Sequence, residues 1–177
     1  MKHERIKTIE TTEITLKDSQ GRRLPLWQPW FNSTVRIPYV TGRYTVCLKL
    51  KNTITNVGHA AANGRMSNQG AYSPFVNIAL GVGTQATPAT STALASESTT
   101  LGGGRGAAAA TQTTTTVTND TTTLIKTFTF SGNLALTEEG IFDSAVASSG
   151  SMLAYQSFAV INVTNGLTLT VTHTYQT

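Results

Sequence analysis

The last third of this chain repeats one pattern: a short run of alternating apolar and hydroxyl-bearing residues, then a turn. The clearest run sets Leu167, Leu169 and Val171 against Thr168, Thr170 and Thr172. Successive side chains of a strand point to opposite faces, so such a run buries one face and presents hydroxyls on the other. A slip of one residue would bury the threonines and expose the leucines, which fixes the register strongly. Runs at 108–118, 122–130, 134–142, 152–160 and 167–175 are separated by Asn119-Asp120, Ser131-Gly132-Asn133, Ser148-Ser149-Gly150 and Thr164-Asn165-Gly166. Short strands at this spacing predict an all-β fold, an antiparallel β-sandwich of jelly-roll-like or Ig-like type.

Two further strands are expected upstream, at 44–51 and at 75–80, the second closed by Gly81-Val82-Gly83. Between them, 56–66 is Ala-rich and predicts one short helix that stops at Asn63-Gly64. Residues 84–106, rich in Thr, Ala, Ser and Gly, read as a long loop, and loops of that length are usually functional or mobile. Near the N-terminus, 6–17 reads as a strand with loose alternation, polar for a core strand. It ends at the turn signal Asp18-Ser19-Gln20-Gly21. The next stretch holds Pro25, Pro29 and Pro38, which forbid a regular ladder or helix through it. Residues 1–40 are therefore read as an extended N-terminal arm and residues 41–177 as the β-sandwich domain.

Charged residues make up 12% of the chain, against about 25% in ordinary soluble domains. Thr, Ser, Asn and Gln replace them, and β-branched Thr suits a pleated surface better than a helix. At 177 residues the chain can bury roughly 70% of its unfolded surface, so a real core is available. Ten of the thirteen Lys and Arg fall in residues 1–51 beside four acids, leaving the remainder with three bases and five acids. A basic first third on an acidic body can meet the body of a neighbouring copy. Nucleic acid is not expected as a partner, because the basic residues alternate with acids and the body is acidic. No apolar run approaches the roughly 20 residues a membrane helix needs, and the opening residues do not resemble a signal peptide. Synthesis in a cytoplasm without membrane association is expected.

Few residues suggest chemistry. The segment from Gly81 to Ala86 fits a dinucleotide fingerprint in letters, but no helix start follows it; the expected role is a strand ending in a turn. Gly102 to Gly106 lacks the Gly-Lys-Ser/Thr ending of a phosphate loop and reads as a flexible loop. Glu138-Glu139 could suggest the paired carboxylates of a glycosidase, yet neighbours in a strand face opposite ways and cannot converge. A structural role is expected, one of them packing against Arg105 or the backbone of a nearby loop. Asp143 is expected to cap backbone amides at a turn. His3, His59 and His173 lie far apart and Cys47 is the sole cysteine, so neither a disulfide nor a zinc pattern is present. Cys47, between Val46 and Leu48, reads as a small buried hydrophobe. No catalytic residue, cofactor or metal is expected.

The aromatic cluster Trp27, Trp30 and Phe31, flanked by Arg22, Arg23 and Arg36, is the candidate site. Trp and Arg are enriched at interface hot spots, and the same aromatics could stack on a sugar or a base. Their place in an arm favours an anchor on another subunit.

The blocks from Phe75 to Thr84, Thr92 to Glu97, Leu136 to Asp143 and Ser151 to Ala154 resemble those of small virion proteins of tailed bacteriophages. The resemblance spans residues 54–175 and includes Thr55-Asn56-Val57-Gly58 ahead of the first block; a similar pattern occurs in tail-fibre collar domains. It implies a non-enzymatic head-decoration or cement protein, or a neck or tail β-domain protein. Its expected partners are further copies of itself and the major capsid or other virion proteins. Its expected place is the virion, assembled in the host cytoplasm. The remaining alternatives are a ring in the neck or tail, and a carbohydrate-binding module using Trp27 and Trp30.

Overall fold

The structure is a computed structural model that describes residues 9–29, 42–45, 47–70, 72–86 and 88–176. The side chains of residues 9, 10, 27–29, 42–45 and 88 are outside that description. Two antiparallel sheets pack face to face, as the alternation in the last third requires. The first sheet holds β1 (Ile9–Lys17), β2 (Arg23–Leu24), β5 (Leu48–Leu50), β9 (Ala109–Thr113), β10 (Thr121–Thr129) and β13 (Thr168–Gln176). Its order is β2-β1-β13-β10-β9, with β5 beside β2 on the same side of β1. The second sheet runs β6 (Thr53–Ile54), β12 (Met152–Val163), β11 (Leu134–Phe142), β7 (Asn77–Gly81) and β8 (Gly106–Ala107). A small hairpin joins β3 (Leu26–Pro29) to β4 (Gly42–Thr45). The order β1-β13-β10-β9 facing β12-β11-β7 parallels the ABED and GFC sheets of an Ig-like sandwich, with the last strand, β13, in the second strand's place.

Between the sheets lies one apolar core that includes Ile14, Leu48, Ile78, Leu124, Leu136 and Leu169. The register expected for the final strand holds: Leu169 and Val171 are buried, while Thr168, Thr170 and Thr172 lie on the other face. Residues 134–142 form β11 with the boundaries expected of them. The expected helix is α1 (Asn56–Met66), which runs through the expected stop at Asn63-Gly64 and ends at a Ser67 cap. Thr55 caps it by accepting from the Gly58 amide at 2.9 Å, and its buried hydroxyl also donates to the Met152 carbonyl of β12. The cap therefore docks the helix as well as starting it. Gly58 is required by that contact: a Cβ there would lie 2.2 Å from the Leu153 carbonyl oxygen.

Two expectations change. Residues 9–17, assigned to an arm, form β1, which pairs with β13 along its whole length. Thr12, Ile14 and Leu16 point into the sandwich while the polar residues between them face out, so a half-buried strand reads as polar overall. The strand expected at 44–51 is broken into β4 and β5. Cys47 sits in the bend between them, half-buried rather than buried, with its thiol 3.7 Å from a Glu13 carboxylate oxygen.

Candidate functional site

Glu138 and Glu139 lie side by side in β11, both with no exposed surface, and the strand sends them to opposite faces of the second sheet. A β-bulge between Leu136 and Glu138 sets this phase. Among the described residues, the buried ionisable side chains lie on one of these two faces or in an ion pair nearby.

Glu139 points between the sheets. Its carboxylate meets His173 Nε2 at 3.0 Å and accepts from Asn52 Nδ2 at 3.2 Å. On the far side of the ring, His173 Nδ1 lies 2.9 Å from the Thr12 hydroxyl and 3.1 Å from Asn52 Nδ2. Thr12 also donates to Asn52 Oδ1. A proton on Nε2 fits these contacts: the ring donates to Glu139 and accepts from Asn52. The chain Thr12–His173–Glu139 has the order of a nucleophile, base and orienting acid. Thr12, His173 and Glu139 are each 0% exposed, so no substrate reaches the hydroxyl. The arrangement ties β1, β11, β13 and the β5–β6 link together and satisfies a buried carboxylate inside an apolar core.

Glu138 points outward, under residues 82–98. Its oxygens accept from the amides of Gly83 at 3.2 Å, Ala95 at 3.1 Å and Ser96 at 2.8 Å. The loop also runs as an extra strand: the Val82 amide donates to Ser96, and Ser98 donates to Leu80. This accounts for the Gly81-Val82-Gly83 signature. A Cβ on Gly81 or Gly83 would fall 2.5 or 2.9 Å from a Glu138 oxygen. The glycines make room for an anion, as in a nucleotide loop, but the anion is the protein's own carboxylate. Beneath the loop Leu94 packs with Ala79, Phe142, Met152 and Tyr155 in a second small core. The Gln85 amide donates to the Tyr155 hydroxyl at 2.9 Å, and burial pushes that phenol up to about 12.

The third assembly closes the loop's far end. Arg105 binds Glu97 through two parallel bonds of 2.8 and 2.7 Å, its side chain 1% exposed. Its remaining nitrogen donates to the Ser149 carbonyl at 2.8 Å and Ser144 at 3.3 Å, and the guanidinium stacks 3.5 Å above the Phe142 ring. Glu97 also accepts from the Ser148 amide at 3.1 Å. One ion pair therefore joins the long loop to the β11–β12 turn. In that turn Asp143 accepts from the Ser151 amide at 2.6 Å, the local capping expected of it. The glycine run at 102–106, expected to be a flexible loop, packs closely: a Cβ on Gly102 would lie 2.0 Å from the Thr129 carbonyl.

Of the expected anchor residues, only Arg22, Arg23 and the Trp27 backbone are among those described. Arg22 is held by Asp18 at 2.7 Å in the β1–β2 turn, and this bond with the Arg22 and Gln20 amides keeps the Asp18 carboxyl below its usual range. Arg23 is exposed on β2, opposite Lys17. The Trp27 backbone pairs with Tyr44 in the β3–β4 hairpin, but its side chain, and all of Trp30, Phe31 and Arg36, lie outside the described residues. Sequence reasoning missed the Glu139 network and the Arg105–Glu97 pair. Its one available signal was two acids inside an otherwise apolar strand with no basic residue nearby in the sequence.

The outer face of the first sheet is built differently. Thr11, Thr174, Thr123 and Thr111 form one row across β1, β13, β10 and β9, and Thr15, Thr170 and Thr127 form another. The Thr127 and Thr170 hydroxyls bond at 2.9 Å. At one end of the sandwich, a cleft of about 290 Å³ opens between α1 and the sheets, lined by Arg65, Phe75, Val76, Leu124 and Tyr175 among others. Among the described residues no three His, Cys, Asp or Glu side chains converge as a metal site, and no helix is long and apolar enough to cross a membrane. No family model, curated protein or solved structure matches this chain.

Proposed function

We propose that this chain is a structural component of a tailed-bacteriophage particle that stabilises or decorates the capsid by packing against other subunits. The observation that carries the reading is where the reactive side chains sit. The Glu138, Glu139 and His173 side chains and the Arg105–Glu97 pair are engaged inside the fold, and the outward face of β13 and β10 in the first sheet is mostly threonine, with charge confined to β1, β2 and β5 at one side. Such a surface suits extensive, weakly polar contact between copies rather than turnover. The ordered blocks that resemble small virion proteins fall on β7, the loop strapped by Glu138, and β11. The part of the sequence that carries the resemblance is therefore the part that builds the second sheet and its cover.

Gold-conjugated antibody against the purified chain, applied to particles from a lysate of the source host, tests this. Label over the heads is the expected result. Label confined to the neck or tail would move the chain to a ring in those modules. Unlabelled particles, with the chain abundant in the particle-free fraction, would end the virion reading.

A further inference from the structure

We infer that β9 is a self-association edge, at which a second copy of this chain adds its own β9 in antiparallel register about Thr111. This deepens the assembly reading by naming the partner. Strand β9 ends the first sheet, and among the described residues no strand lies on its outer side. All five of its residues, Ala109–Thr113, are exposed. An open edge offers unpaired backbone donors and acceptors, and proteins normally shorten, charge or kink such edges.

The short terminal strands follow that rule, while β12 beyond the two residues paired with β6 lies beside β3. On the first sheet's opposite side, β2 has two residues, carries Arg23 and runs into Pro25, while β5 has three and carries Lys49. The second sheet ends in β6 and β8, of two residues each. Strand β9 has no charge, no proline and an unbroken register with β10. Its far end is sharply defined: Asp120 accepts from the amides of Thr115, Thr116 and Val117 at 2.8, 2.8 and 2.9 Å, folding the chain into the β9–β10 turn.

The occupant follows from the strand's own sequence. Antiparallel pairing about Thr111 sets Thr111 opposite Thr111, Ala110 opposite Gln112 and Ala109 opposite Thr113, with no like charges facing. The contact is isologous and closes on itself as a two-fold. It also makes the row Thr11, Thr174, Thr123, Thr111 run without interruption into the same row of the second copy.

The test uses the full chain with Cys47→Ala as background. Thr111→Cys is compared with Thr127→Cys, which is exposed on β10 beyond the end of its pairing with β9. The pairing brings the two Thr111 positions within disulfide reach, so Thr111→Cys should form a covalent dimer about tenfold faster or more under mild oxidation. Thr111→Lys should remove the concentration-dependent rise in sedimentation coefficient of the wild-type chain. Equal cross-linking rates for the two cysteines would overturn the inference, and so would undiminished association of Thr111→Lys. Were Thr111→Lys to lower the melting temperature, the cysteine comparison would still decide. Gold label on particles together with equal cross-linking would remove this edge while leaving the virion reading in place.

Discussion

The two sheets finish their outer faces in opposite ways. The second sheet is covered: residues 82–86 and 88–105 lie over it, held by a carboxylate that collects three amides and by a buried arginine–glutamate pair. Strand β7 is consequently buried at every residue. Among the described residues nothing lies over the first sheet, and its outer face carries hydroxyls, with few charges. This chain, poor in charge overall, holds several of its ionic groups inside and keeps one broad face rich in hydroxyls, with Glu13, Lys17 and Lys49 gathered toward its β1 side. Buried ion pairs need complete hydrogen bonding to break even, and Arg105 with Glu97 have it. A threonine face needs no such compensation and stays available.

The comparison breaks most visibly at the ion pair. Arg105→Met leaves Glu97 buried without its partner and should destabilise the fold by roughly 3–5 kcal/mol in denaturant unfolding, with Arg105→Met plus Glu97→Gln recovering part of the loss. Glu138→Gln keeps the shape but aims an amide N–H₂ at backbone donors. A loss of about 2–3 kcal/mol is expected, with faster hydrogen exchange across 82–98 and little change in the first sheet. Gly58→Ala forces a methyl into the Leu153 carbonyl. A loss of about 1–3 kcal/mol is expected in spite of the better helix propensity of alanine, and a gain in melting temperature would contradict the close contact.

How far these features could be read in advance follows from their range. The alternation at 167–175, the helix at 56–66 and β11 itself are written in neighbouring residues, where turn signals and period decide. The Glu139 network joins residues 12, 52, 139 and 173, and nothing local announces that Thr12 and His173 will meet. Strand β1 reads as a polar strand of the arm because its buried side chains are interleaved with Glu13 and Lys17, whose outward direction is fixed only by pairing with β13. The glycines at 81 and 83 read locally as the end of a strand in a turn, and nothing nearby announces that they make room for Glu138, more than fifty residues on.

Smaller effects sharpen the contrast on the bare side. Backbone hydrogen bonds, Val117 foremost, hold the exposed Asp120 carboxyl well below its usual range. A depressed folded value means the contribution is full above the ordinary carboxylate value and is lost only as pH falls through the depressed one. The turn at 115–117 should therefore give unchanged amide chemical shifts from neutrality down to about pH 4, where free aspartates begin to protonate. Asp120→Ala should disorder that turn locally while the cover stays protected. Thr127→Val, in the middle of the threonine face, should alter stability by less than about 0.5 kcal/mol.

Hydrogen exchange on the full chain at low and high concentration tests the central claim, that the covered sheet is permanent structure while the bare sheet waits for a partner. The amides of β9 should gain protection as concentration rises, and those of 82–98 should be protected equally at both. Identical exchange of β9 at the two concentrations, in a chain that sediments as a monomer throughout, would contradict the account.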